Sequence, residues 1–119
     1  MPMNKRIRSA WHYAVTHLPD DALATPFLHA VDDAGQHRYS LAGVLCELYI
    51  SAGGTTWVED GTFNGHTLLG IINNSGGVSL ARPTPEIIAW SGLSLHKLDA
   101  ILSAETVDQI AAKALIKTA

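Results

Sequence analysis

The sequence predicts an α+β fold, in which helices flank a small antiparallel β-sheet within one compact domain covering residues 1–119. Two observations predict it. Apolar residues recur at helical spacing near both ends of the chain, and nine of its ten glycines fall between Gly43 and Gly92, among short apolar segments punctuated by turn residues.

Ile7, Trp11, Ala14, Val15 and Leu18 form one stripe, predicting a first helix from Asn4 to Leu18 that Pro19 ends. Lys5, Arg6 and Arg8 lie near its start, where the helix dipole disfavours cations, so they are either solvated or used by a partner. From Phe27 to Tyr39 a loose alternation around Asp32-Asp33-Ala34-Gly35 predicts a short hairpin turning at Gly35. Ser40 can cap a second helix, Leu41 to Ala52, with Gly53 after its end and Cys46 as a packed thiol inside it. The segments TTWV, TFNGHTLLGII and GVSLA read as strands, separated by turns at Glu59-Asp60-Gly61 and Asn73-Asn74-Ser75-Gly76-Gly77. Thr84 and Pro85 open a short helix, Pro85 to Ser91, closed by Gly92. Ser94 then caps Leu95 to Leu102. Ser103 caps a last helix, Ala104 to Lys117, whose expected buried stripe is Val107, Ile110, Ala111, Ala114 and Leu115.

Composition excludes several classes of function. A net charge of −3 and a pI near 6.0 disfavour nucleic acid and anionic membranes as partners, since both require a dense basic patch. Hydrophobic residues at 47% against charged residues at 16% indicate a folded chain whose low charge suits a homo-oligomer. The single cysteine leaves no intramolecular disulfide, and neither an apolar export signal nor a membrane-spanning run is present. A cytoplasmic protein is expected.

No nucleophile, base and stabiliser are signalled together, so no catalytic residue is assigned. The six histidines, at 12, 17, 29, 37, 66 and 96, never share the spacing of metal ligands on one helical face, and neither a metal nor a cofactor is expected. The strongest chemical signal is a scarcity. Arg82 is the one basic residue between Arg38 and Lys97, and it follows the Asn/Ser/Gly turn. Its guanidinium, beside free backbone N–H groups of Ser75, Gly76 and Gly77 and with Asn74 as a further binding residue of that turn, could cradle a phosphate or carboxylate. Trp57 could supply a stacking face, and Asn64 and His66 polar contacts. The alternatives are an ordinary surface contact for Arg82, a core position for Trp57 and a solvated strand end for His66.

The order of Trp11, GVLCELY, Trp57, PEIIAWSGL and a closing helix preceded by LSAETVDQIA resembles a family of small uncharacterised proteins common in actinobacterial phages and prophages. Those proteins show CCLGVLCDL, a proline-led helix ending in WAGL, and LNDSG before an F-x-x-IA-x-x-I helix. Here Ser40 and Leu41 replace the paired cysteines, Ala42 is inserted, and Ile101 to Glu105 stand where LNDSG would be. The resemblance implies a phage-type accessory protein and assigns no activity.

Two functions follow as expectations. One is a non-enzymatic binding protein that counters host defence by sequestering a small anionic molecule, such as a nucleotide signal, or a host protein. The other is a small hydrolase or transferase using His66 with Asp60 or Glu59. A DNA-reading role for the closing helices ranks last, because Lys97, Lys113 and Lys117 are offset there by Asp99, Glu105 and Asp108.

Overall fold

Helix α1, Lys5–His17, starts where Asn4 turns its side-chain oxygen onto the N–H groups of Arg6 and Ile7. It ends at Leu18, whose extended backbone is the conformation a following proline imposes. The computed structural model describes residues 3–23, 25–73 and 75–119. A short 3-10 turn, Asp20–Leu23, leads to the hairpin of β1 (His29–Val31) and β2 (His37–Tyr39). Asp32 holds the hairpin turn: its Oδ1 accepts from Ala34 and Gln36 N–H, its Oδ2 pairs with Arg38 at 3.0 Å, and Gly35 supplies a φ of 80°.

Helix α2, Leu41–Ser51, is capped by Ser40 as the sequence predicts and buries every residue from Leu41 to Cys46. Strands β3 (Trp57–Phe63), β4 (His66–Ile72) and β5 (Val78–Ser79) complete an antiparallel sheet of order β2-β1-β4-β3, with β5 also paired to β4. Helices α3 (Pro85–Ser91), α4 (Leu95–Glu105) and α5 (Gln109–Lys117) follow. Five α-helices and a five-stranded antiparallel sheet thus form one α+β domain around a shared core containing Trp11, Leu45, Ile71, Ile87, Ile101 and Ile116. Among the described residues, no helix is long and apolar enough to cross a membrane.

The structure corrects four local expectations. Glu59-Asp60-Gly61 is no turn: β3 runs through it with one extra residue between the pairs Glu59–Leu69 and Thr62–Thr67, a β-bulge in which Gly61 takes a φ of 89°. The reversal comes instead at Asn64-Gly65, both at positive φ, as a two-residue hairpin requires, so TFNGHTLLGII is two strands. Thr84 lies buried before α3 without a side-chain cap bond. Finally, α4 continues through Ser103 to Glu105, and Asp108 caps α5 by accepting from Ile110 and Ala111 N–H. That later start changes the helix phase. Ala112 and Ile116 face the core, while Val107 and Ile110 stand 88% and 80% exposed.

Gly43 sits against the chain entering β1, where an added Cβ would collide with the Leu28 carbonyl oxygen. The Gly43→Ala variant should therefore lose about 3 kcal/mol of stability or more, because backbone has to move. Urea unfolding measures the loss, and a change under about 1 kcal/mol would mean that α2 can slide off β1 freely.

Candidate functional site

The described residues enclose a cleft of about 420 Å³ where four parts of the chain meet. Leu23 comes from the 3-10 turn, Pro26 from the approach to β1, Ala81 and Arg82 from the segment after β5, and Leu102 and Glu105 from α4. Thr106 and Gln109 close the side formed by the α4–α5 junction, and Gln109 anchors it by donating Nε2–H to the Leu23 carbonyl at 3.1 Å.

Glu105 is the cleft's half-buried acid. Its Oε2 accepts the N–H of Leu41 at 2.9 Å, satisfying an otherwise unpaired donor in the first turn of α2, where a helix dipole favours negative charge. Burial pushes its pKa upward, and the Leu41 N–H opposes that push. Arg82 reaches the opposite way. Its Nη2 donates to Asp99 at 2.8 Å across a half-exposed surface, a pair of small energetic weight that a ligand anion can replace. Among the described residues, no His, Cys or Lys lines the cleft, and the hydroxyls of Thr25, Ser40 and Thr106 line it together with Glu105.

The residues singled out in the sequence are dispersed. Asn73 uses the N–H groups of its own turn: its Oδ1 accepts from Ser75 N, Ser75 Oγ and Gly77 N, and its carbonyl accepts from Gly76 N. The expected cradle of free N–H groups is thus already occupied. Asn74 lies outside the described residues. Ser75 borders a separate hollow with Pro85 and Ala89. Asn64 and His66 do come together, beside Phe27 and Phe63 in a hollow of about 210 Å³ that shares the wall of Thr25 and Pro26 with the cleft. His66 forms no hydrogen bond with Glu59 or Asp60. Glu59 stands opposite Leu69, three residues from His66 along β4, so the two side chains leave opposite faces of the sheet.

Trp57 is half-buried under α2, its indole N–H donated to the Glu47 carboxylate and its ring set edge-on to His29. It belongs to a cluster that sequence reasoning missed. His29 is 3% exposed, stacks on Tyr39 at a centroid distance of 4.3 Å, and joins its Nε2 to Nδ1 of His37 at 2.7 Å. His29 Nδ1 is buried without a partner among the described residues. An orphaned N–H costs more than an orphaned lone pair, so we assign the His29 proton to Nε2, donating to His37. Desolvation, and then proximity to His37, lowers the His29 pKa to about 4. Burial, and then Glu47, raises Tyr39 to about 12, and burial raises Cys46. The hairpin itself carried the signal: His29 faces Tyr39 in register, so His37, two residues earlier, shares its face. Glu105 left no such signal, since it acts on a helix 64 residues away.

No protein-family model, no curated protein and no solved structure matches the chain.

His29 makes stability depend on pH. Its folded pKa of about 4 lies below the ordinary histidine value of 6.5, so between those values the unfolded chain binds more protons. Stability that is complete above about pH 6.5 should decline by on the order of 2 kcal/mol as pH falls through 4. Urea unfolding at pH 7 and pH 4.5 tests this. His29→Phe keeps the ring and should show the smaller loss between the two pH values, whereas equal losses would dismiss His29 as the titrating group.

Proposed function

We propose that this chain is a non-enzymatic binding protein that holds a small amphipathic anion in the cleft between Arg82 and Glu105. The supporting observation is the cleft's make-up: about 420 Å³ walled by Leu23, Pro26, Ala81 and Leu102, with one cation at its edge and one half-buried carboxyl. An apolar body entering it gains about 25 cal/mol for each Å² withdrawn from water. A carboxylate or phosphate on the ligand takes Asp99's place on Arg82, and a ligand hydroxyl or amide donates to Glu105. Capture without cleavage is the expected mode, because no His, Cys or Lys among the described residues lines the cleft to activate a hydroxyl and the Ser40 hydroxyl is engaged as the cap of α2.

The resemblance to phage-type proteins suggests a purpose, the sequestration of a host signal in the cytoplasm, where the lone Cys46 stays reduced. Val107 and Ile110 adjoin the lining residues Thr106 and Gln109 in sequence, and we assign to them the contact between copies in a homo-oligomer.

Native mass spectrometry of protein purified from cells reads both parts at once. The expected spectrum contains more than one subunit with a retained small molecule that survives denaturation intact, and Ile110→Glu should reduce the assembly to one subunit. Arg82→Ala should weaken rebinding of the recovered molecule about tenfold, and Thr106→Trp, which fills the cleft, should weaken it further. A cleaved ligand, or rebinding unchanged in both variants, would overturn the reading.

A further inference from the structure

We infer that the protein has a second ligand site, independent of the cleft, in a groove between the outer face of α1 and the last turn of α5, and that it takes a nucleoside phosphate. The groove has a volume of about 550 Å³, within the usual range for small-molecule sites. Helices α1 and α5 carry Lys5, Arg6, Arg8, Lys113 and Lys117, five of the chain's eight Lys and Arg residues, and no acidic residue. Lys113 is tied to Asp20 at 3.9 Å. Arg8 and Lys117, which line the groove, make no ion pair or side-chain hydrogen bond among the described residues, and no carboxylate lines it with them.

Two cations without side-chain partners among the described residues suit a phosphate, and His12 and the hydroxyl of Ser9 add polar contacts beside them. The rest of the groove is a ring platform. Tyr13, 64% exposed, lies flat against His17, with ring centroids 3.9 Å apart and planes 22° from parallel. The His17 ring is held in place: its Nδ1 lies 2.8 Å from the Tyr13 carbonyl, which can only accept, so Nδ1 carries the proton and Nε2 is left for a ligand. An exposed, pre-oriented aromatic stack beside unpaired cations is the pairing that recognises a base and its phosphate together. The net charge of −3 repels a long polyanion at distance, so the groove favours a free nucleotide over a nucleic-acid strand.

Isothermal titration of the full chain with ATP, adenosine, inorganic phosphate and a single-stranded DNA 12-mer tests the assignment, with circular dichroism monitoring the fold of each variant. ATP should bind, and adenosine and phosphate alone should each bind at least about tenfold more weakly. Arg8→Ala and Lys117→Ala should each weaken ATP about tenfold. Tyr13→Ala should weaken ATP while leaving phosphate unchanged, and Arg82→Ala should leave ATP unchanged, which separates this groove from the cleft. Absence of ATP binding at about 1 mM, ATP affinity indifferent to Arg8→Ala and Lys117→Ala, or tighter binding of the 12-mer than of ATP would each overturn it.

Discussion

The first turn of α2 is the point through which the helices and the sheet are joined, and Leu41 is its centre. Its carbonyl accepts the buried indole N–H of Trp11 at 2.7 Å, and its N–H is taken by Glu105. One residue earlier, Ser40 donates its N–H to Phe27 and accepts from Gly43 with its hydroxyl; two residues later, Gly43 lets the Leu28 carbonyl approach. Helices α1 and α4 and the start of β1 are thus tied to a single turn. The Trp11–Leu41 and Gly43–Ser40 bonds are buried and the Leu41–Glu105 bond part-buried, so a bond lost there leaves a donor or acceptor that water reaches poorly, at a typical cost of about 1–3 kcal/mol. The position of α4 relative to the sheet, and with it one wall of the cleft, follows from this turn.

The break between α4 and α5 has effects in two places. Carrying α4 on to Glu105 places that carboxyl at the end of the helix, where it reaches α2 and also borders the cleft. Starting α5 at Asp108 then turns Ala112 and Ile116 inward and leaves Val107 and Ile110 in solvent. A continuous helix from Ala104 would have buried the more hydrophobic stripe. It would also have given up the Asp108 cap and the anchor from Gln109 to Leu23. The exposed valine and isoleucine are therefore the local cost of placing a polar connection beside the cleft.

Legibility in the sequence followed the range of the interaction. Ser40 and Ser94 cap the helices they precede, and Gly35 and Gly92 turn where a positive φ is needed, because each of these contacts spans a few residues. Asn64-Gly65 is as local, but the adjacent Glu59-Asp60-Gly61 offers an equally good turn, and the pairing of β3 with β4 decides between them. Ser103 and Asp108 compete in the same way, and contacts of α5 with Leu23 and the core favour Asp108. The site was less legible than the fold. Asn73 satisfies N–H groups that Arg82 was expected to share with a ligand, and the partners of Arg82 and Glu105 lie 17 and 64 residues away.

Charge in this chain is segregated by element and not merely low. Acidic residues gather at Asp32-Asp33 in the β1–β2 turn and at Glu59-Asp60 beside the bulge of β3, and one of them, Asp32, is used internally to hold Arg38. Cations gather on α1, whose first turn holds Lys5 and Arg6 and no acid. The dipole of that helix works against cations there by about 0.3–1 kcal/mol each, and among the described residues neither forms an ion pair that would offset it. Structural need does not explain this arrangement: Asn4 already caps the helix, and Trp11 and Val15 already anchor it. A cationic helix face that the fold does not require, next to unpaired Arg8 and Lys117, makes chemical sense when an anion supplies the missing charge.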